Sequence, residues 1–144
     1  MIPVLLCGSE SWTISSRMRR RLEATEMWFY RRMLKISWTQ HASNYEVLRR
    51  MQTKRRLMLD IRKRQLKFLG HVMRKEGLEN LILTGRIEGG RDRGKQRTTY
   101  LKGLSEWMMG RGMGDAGSQA LLRASRDRGK WKAMIAYVLK GYGT

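Results

Sequence analysis

Arginine side chains recur at helical spacing near the start of the chain, a pattern that suits contact with phosphate groups. At 100° per residue, Arg17, Arg21, Arg32 and Lys35 fall on one stripe that also contains Trp28. Cationic side chains neutralise nucleic-acid phosphates, and an indole ring can stack on an unpaired base. The stripe is either a solvated basic face with Trp28 tucked beside it or a surface for phosphates and bases, and the sequence leaves both interpretations open.

A second basic surface is predicted further along the chain. Residues 49–67 contain nine basic residues and one acid. On a helix, Arg56, Lys63, Lys67 and Arg74 fall almost on one line, at spacings of seven, four and seven residues. Because a run of like charge repels itself within an isolated helix, it favours an anionic partner, with a solvated face as the alternative.

Basic residues also alternate with glycines and polar residues in segment 89–97, which has no apolar anchor. These basic residues are Arg91, Arg93, Lys95 and Arg97. The pattern predicts a mobile glycine-rich loop that wraps a phosphate backbone, and a plain flexible linker is the alternative. Tyr100 follows this loop and is, with Trp28, a candidate for stacking on a base.

The charge balance points to the same partner and excludes several classes of protein. The 144 residues include 31 Lys and Arg against 12 Asp and Glu, and the net charge of +19 destabilises a compact state unless anions screen it. The single cysteine, Cys7, permits neither an internal disulfide nor a cysteine-based zinc site. No apolar run approaches the ~20 residues of a membrane span. A nucleic-acid backbone is therefore the favoured partner, and a membrane is not expected.

The sequence predicts no catalytic centre, metal site or cofactor in this chain. His41 and His71, the only histidines, are not expected to converge on a metal. The aspartates are dispersed, and Asp127 lies between Arg126 and Arg128, where a salt bridge is the simpler explanation. The isolated chain is therefore not expected to be an enzyme, and a metal-dependent nuclease acting through Asp127 is the only enzymatic alternative.

A mainly α fold, a small helical bundle, is predicted to position these residues. A serine pair at 15–16 caps a first helix that runs to about Ile36. Its predicted buried stripe consists of Met18, Leu22, Thr25, Phe29, Met33 and Ile36. A capping box at 43–46 opens a short helix, and Thr53 caps a long helix that runs to about Lys75.

The long helix carries two apolar stripes. The first consists of Leu57, Met58, Ile61, Gln65, Phe68, Leu69 and Val72. The second, Leu59, Leu66 and Met73, repeats every seven residues and requires another packing partner, either the first helix or protein absent from this chain.

Beyond the long helix, the pattern predicts a short β-hairpin at 80–88 and further helices. Thr98 or Thr99 caps one helix, and a last helical region covers about 118–140, with Gly129 marking a bend. The predicted parts are the N-terminal helices (1–78), the hairpin with the basic loop (79–97) and the C-terminal helices (98–144). Together they form one domain or a fragment of a larger polyprotein.

Five segments, in order, carry a resemblance to a known family. They are 5–12 (LLCGSESW), 21–38, 69–74 (LGHVMR), 91–99 followed by an aromatic residue, and 127–131 (DRGKW). Their order and spacing resemble the C-terminal region of the endonuclease–reverse transcriptase polyproteins of LINE-type, or non-LTR, retrotransposons, closest to the RTE-like group. The resemblance covers nearly the whole chain.

This resemblance implies a thumb-like segment that follows the polymerase core. The RNA-directed DNA polymerase and endonuclease activities of the family belong to upstream domains, so no catalytic role passes to residues here. The implied function is to grip template RNA or a primer–template RNA–DNA hybrid through phosphates, without sequence specificity. The implied partner is the upstream polymerase domain of the same polyprotein, and the expected location is the nucleus, since basic clusters such as 54–56 permit import.

A second hypothesis is a degenerate retrotransposon remnant that needs its missing upstream domains for stability. The apolar start of the chain, residues 1–7, is consistent with an element that has been cut away from something upstream. The sequence also departs from the family's pattern at Cys7, Lys95-Gln96 and Tyr100, and these departures fit a remnant as well as a working fragment.

Overall fold

The structure, a computed structural model, is mainly helical and describes residues 2–75, 77–84, 99–110 and 114–143. The helices are α1 (Ile2–Leu5), α2 (Ser16–Met33), α3 (Asn44–Arg50), α4 (Leu57–Met73), α5 (Leu78–Thr84), α6 (Tyr100–Met109), α7 (Gly114–Arg126) and α8 (Arg128–Gly143). Short 3-10 turns cover Ser9–Ser11 and Trp38–Gln40. The described ranges contain no strand, in agreement with the predicted mainly α class.

Three predicted helix caps are confirmed. The Ser15 hydroxyl accepts from the amide of Met18 at 3.2 Å and opens α2. The Ser43 hydroxyl accepts from the amide of Glu46 at 3.2 Å and opens α3. The third cap is Thr99, which opens α6 in the same way. Each hydroxyl satisfies an amide that the first helical turn leaves without a partner, which is why these residue types mark helix starts in the sequence.

The hairpin predicted at 80–88 is not seen. Residues 80–84 belong to helix α5, and residues 85–88 lie outside the described ranges. A short run such as Leu81-Ile-Leu83 does not distinguish a strand from a helix by periodicity, and leucine is a good helix former. Within α5 the Thr84 hydroxyl donates to the carbonyl of Asn80 at 2.8 Å, a bond to the preceding turn that is typical of helices.

The C-terminal region contains two helices where one bent helix was predicted. The break falls at Asp127, not at Gly129. The Asp127 carboxylate accepts from the amides of Gly129 at 2.9 Å and Lys130 at 3.0 Å, which makes it the N-terminal cap of α8.

The chain divides into two compact units. The larger comprises Met1–Ile14 with Ile61–Thr144, and the smaller comprises Ser15–Asp60. This division differs from the predicted parts because residues 9–12 are bound to the long helix. The side-chain amide of Gln65 on α4 donates to the carbonyls of Ser9 at 3.3 Å and Trp12 at 2.8 Å.

The core of the larger unit explains the second apolar stripe of α4. Leu66 and Met73 of that stripe are buried in a cluster with side chains from the later helices. The other buried members are Leu69, Leu104, Leu121, Trp131 and Ile135. For Leu66 and Met73 the packing partner is thus supplied by α6, α7 and α8 of the same chain, and neither of the two predicted partners, the first helix or absent protein, is the one observed in this cluster.

The predicted buried stripe of α2 in the smaller unit is confirmed at Leu22, and its members Met18, Thr25 and Phe29 are partly buried. The other buried residues of α2 are Glu26 and Met27, whereas Met33, predicted to be buried, is 68% exposed. In contrast to the prediction, an acid, Glu26, lies inside the unit. Its role at the start of α4, described below, is the physical reason for the difference.

Candidate nucleic-acid interface

The basic stripe of α2 lies on the solvent side of the smaller unit. Arg17, Arg21 and Arg32 are exposed, and Trp28 is 53% exposed. The Arg32 guanidinium carbon lies 5.6 Å from the centroid of the Trp28 ring, a cation–π contact. At 100° per residue the stripe is almost opposite to Glu26, so basic and buried faces are segregated on one helix.

Two acids of the smaller unit, Glu23 and Glu46, are paired with basic residues outside the α2 stripe. Glu23 contacts Arg19 at 2.8 Å and Arg55 at 4.0 Å. Glu46 contacts Arg49 at 3.2 Å and Arg50 at 2.9 Å, and the bond from Arg50 is the main reason that the pKa of Glu46 is lowered. In the described part of the chain, Arg17, Arg21 and Arg32 have no acidic partner. Their charge is therefore available to an external anion.

Arg56 is held in place by an internal carboxylate. Glu26, 5% exposed, accepts through Oε1 from the backbone amides of Arg56 at 2.7 Å and Leu57 at 3.0 Å. The same oxygen accepts from the Tyr30 hydroxyl at 2.9 Å. These two amides begin α4 and have no partner within the helix, so Glu26 is a cap supplied from a distant part of the sequence. The Arg56 side chain is exposed, as a phosphate contact requires.

Tyr30 makes this arrangement sensitive to high pH. Burial, and then the hydrogen bond to Glu26, raises the pKa of Tyr30 to about 12. Because a phenol in an unfolded chain ionises near pH 10, Tyr30 contributes stability that is complete below about pH 10 and is lost as the pH rises to about 12. Tyr30→Phe is expected to lessen the fall in the free energy of unfolding over this range.

Urea denaturation at several pH values measures this effect, with Tyr45→Phe as the matched control. The Tyr45 ring is 77% exposed, so its removal is expected to leave the pH profile unchanged. Equal profiles for the two variants would contradict the role given to Tyr30.

In the larger unit, the basic line of α4 is also exposed. Lys63, Lys67 and Arg74 all lie at the surface. Arg74 also has an internal contact, since one guanidinium nitrogen donates to the carbonyl of Ser125 at 3.0 Å. Lys63 and Lys67 are therefore the two most available cations of this line.

Not every basic residue in the run 49–67 faces solvent. Arg62 is buried, donates to the side-chain oxygen of Gln65 at 2.9 Å and lies 6.0 Å from the Trp107 ring centroid. Arg64 donates to the carbonyl of Leu6 at 3.4 Å. Part of the charge that looked available in the sequence thus has an internal structural role.

The two predicted stacking residues differ in their surroundings. Tyr100 packs against the core of the larger unit, and its hydroxyl donates to the carbonyl of Gln65 at 3.2 Å. Burial raises the pKa of Tyr100 far above its usual range. These contacts give its ring a packing role, whereas Trp28 is open to solvent. The predicted loop residues Arg91, Arg93, Lys95 and Arg97 lie outside the described residues.

The sequence reasoning missed a contact between Gly70 and Trp131. The Trp131 indole nitrogen donates to the carbonyl of Leu66 at 3.0 Å, and the ring lies against Gly70. A Cβ atom added to Gly70 would lie 2.4 Å from that nitrogen. Gly70 and Trp131 belong to two of the segments that carry the family resemblance, LGHVMR and DRGKW. The signal was a glycine in the middle of a predicted helix, a position that needs a packing reason.

Asp127 also has a structural explanation. Besides capping α8, its carboxylate lies 3.7 Å from the Lys130 ammonium group. Asp127 therefore forms an ion pair, as expected, but its partner is Lys130 and not the neighbouring Arg126 or Arg128. The amide hydrogen bond from Lys130 is the largest of the effects that lower the pKa of Asp127. Within the described ranges, no three His, Cys, Asp or Glu side chains are grouped as metal ligands would be.

Comparisons with known proteins add no relative: no family model, curated protein or solved structure matches this chain. Among the described helices, none is long and apolar enough to cross a membrane.

Proposed function

We propose that the protein binds nucleic acid, RNA or an RNA–DNA hybrid, through phosphate contacts without sequence specificity. The observation that carries the proposal is the segregation of charge on α2. Three arginines that have no acidic partner among the described residues line one side, while Glu23 and Glu26 are engaged on the other. Lys63 and Lys67 on α4 add two exposed cations. Such surfaces attract a polyanion and release its counterions on binding.

We propose further that the chain is the C-terminal, thumb-like segment of a LINE-type retrotransposon reverse transcriptase. The five ordered segments of the sequence support this assignment. The contacts of Gly70 with Trp131 and of Asp127 with α8 give two of those segments a shared packing function. In this proposal the upstream polymerase domain is the partner, the nucleus is the location, and catalysis belongs to the upstream domains.

A salt titration of binding tests the function directly. Seven described candidates are Arg17, Arg21, Arg32, Arg56, Lys63, Lys67 and Arg74. Each of them that contacts a phosphate of single-stranded RNA is expected to contribute a roughly 2- to 3-fold fall in affinity between about 50 and 200 mM salt, so the salt slope counts the contacts made. Fluorescence anisotropy with labelled single-stranded RNA, duplex RNA and RNA–DNA hybrid measures it. A flat salt response, or no binding at low salt, would contradict the proposal.

Charge-reversal variants test whether the exposed lysines of α4 belong to the surface that binds nucleic acid. Lys63→Glu with Lys67→Glu is expected to weaken binding at least tenfold and to make the salt dependence shallower, because two phosphate contacts are lost. The matched control is Lys132→Glu with Lys140→Glu, two exposed lysines of α8 that give the same net charge. Equal losses in both double variants would mean that only net charge matters, and the placement on α4 would be wrong.

The remnant hypothesis has one observation in its favour, an exposed apolar patch on α5. Leu78 is 66% exposed, Leu81 45% and Ile82 57%. A chain that depends on missing domains is expected to bind a hydrophobic dye strongly and to melt without cooperativity, whereas a self-sufficient module melts cooperatively. Calorimetry with dye binding distinguishes the two.

A further inference from the structure

Trp28 differs from the other tryptophans whose side chains the structure describes. Trp131 is buried and donates to Leu66, and Trp107 is half-buried beside Arg62. Trp12 is also half-buried. Trp28, in contrast, is 53% exposed. The fold of the smaller unit does not require a large ring at this position.

The surroundings of Trp28 match those of a stacking platform. Phe29 meets the indole edge-on, with ring centroids 5.3 Å apart and planes at 64°. The Arg32 guanidinium lies over the ring at 5.6 Å from its centroid, as a planar cation that can also contact a phosphate or a base. An exposed aromatic ring beside a positive charge is the combination that single-strand binders use.

Cations lie on both sides of Trp28 along the same stripe. Arg17 and Arg21 precede it and Arg32 follows it, so the stripe extends over roughly 22 Å at 1.5 Å per residue. This length suits a short single-stranded segment. The exposed cations of α4, Lys63 and Lys67, have no comparable exposed tryptophan or tyrosine beside them on that helix.

We propose that the α2 stripe binds single-stranded nucleic acid, with an unpaired base stacked on Trp28. This inference rests on the proposed nucleic-acid binding and adds the form of the ligand. A base in the interior of a duplex is stacked between its neighbours and offers no free face, so along a strand Trp28 can stack only on an unpaired base. The arginines supply the salt-dependent part of the affinity, and the ring supplies a part that does not depend on salt.

Three RNA probes of about 12 nucleotides test the proposal. They are oligouridine, an abasic ribose–phosphate chain of equal length and a blunt duplex. The full chain is expected to bind oligouridine at least fivefold more tightly than the abasic chain. Trp28→Ala is expected to remove this preference, a loss of about 5- to 100-fold on oligouridine, with no change on the abasic chain or in the salt dependence.

Two further variants separate stacking from folding and from charge. Trp28→Phe retains a ring and is expected to keep most of the preference. Arg32→Lys retains the charge but loses the planar group, so it is expected to keep the salt dependence and to weaken oligouridine binding more than abasic binding. Unchanged circular dichroism and melting temperature show that the exposed positions do not affect the fold.

The possible failures are distinct. If the full chain binds no probe at low salt, the proposed function itself is wrong. If it binds oligouridine and the abasic chain equally, or if Trp28→Ala weakens both alike, nucleic-acid binding stands and stacking on Trp28 is overturned. Tighter binding to the duplex than to oligouridine also overturns it.

Discussion

Replacing Gly70 by alanine is expected to lower the free energy of unfolding by about 2–3 kcal/mol, although this exchange stabilises most helices. The added Cβ would lie 2.4 Å from Nε1 and 2.5 Å from Cδ1 of Trp131. Trp131 is 3% exposed and bound to the Leu66 carbonyl, so its ring cannot withdraw without loss of packing and of that hydrogen bond. These losses exceed the roughly 1 kcal/mol that alanine contributes through helix propensity.

Gly141→Ala is the matched control for this substitution. Gly141 also lies in a helix, α8, but a Cβ there meets no atom within 4 Å. This variant is therefore expected to be neutral or slightly stabilised, by at most about 1 kcal/mol. Urea denaturation followed by circular dichroism measures both variants.

A double-mutant cycle tests whether the contact with Trp131 causes the loss of stability expected for Gly70→Ala. Trp131→Phe leaves a smaller ring and removes the indole N–H, so Gly70→Ala is expected to cost less in that background than in the native chain. If the cost is the same in both backgrounds, Trp131 does not cause it. If Gly70→Ala stabilises the native chain, the packing of α8 on α4 is wrong.

Local signals in the sequence predicted much of the fold. The caps Ser15, Ser43 and Thr99 act on amides three residues away, so their effect is visible in any short window. The second stripe of α4 was correctly predicted to need a partner. Which elements supply that partner could not be predicted, because Leu66 shares a core with Leu104, Leu121 and Trp131 only through the tertiary fold.

Predictions failed where a distant polar contact determined the local structure. Hydrophobic periodicity placed Met33 inside the smaller unit and gave Glu26 no role, since a charged residue is normally excluded from a buried face. The start of α4 at Leu57, after the predicted cap at Thr53, has the same cause. The cap comes from Glu26, 30 residues before Arg56 in the chain.

For the candidate interface, the sequence predicted the exposure of the basic residues correctly on α2 but only in part on α4. Sequence spacing correctly placed Arg17, Arg21 and Arg32 on one exposed stripe of α2. Spacing alone could not show that Arg62 is buried beside Gln65, because that side-chain contact does not repeat along the helix. The available charge is therefore smaller than the total of +19.

Glu26→Ala is expected to lower the free energy of unfolding by about 3 kcal/mol, the largest effect predicted for the smaller unit. The substitution removes the acceptor of three hydrogen bonds, from the amides of Arg56 and Leu57 and from the Tyr30 hydroxyl. The first turn of α4 then lacks its cap and the negative charge that favours a helix N-terminus. Chemical denaturation measures the loss.

Glu26→Gln separates the contribution of the negative charge of Glu26 to stability from the contribution of its side-chain shape. Its Oε1 can still accept, but its amide group replaces Oε2, a buried atom that has no hydrogen-bond partner among the described residues. A buried N–H₂ group without an acceptor costs free energy, and the charge at the helix start is lost as well. We therefore expect a loss of about 1–2 kcal/mol, between the alanine variant and the native chain.

The control lies one turn away on the same helix. Glu23→Gln removes ion pairs with Arg19 and Arg55 at the surface, which are worth at most about 1 kcal/mol. The expected order of destabilisation is thus Glu26→Ala, then Glu26→Gln, then Glu23→Gln. An equal effect of Glu26→Gln and Glu23→Gln would show that Glu26 acts only as a surface charge. In that case the position of Arg56, and with it one of the proposed phosphate contacts, would no longer depend on this buried carboxylate.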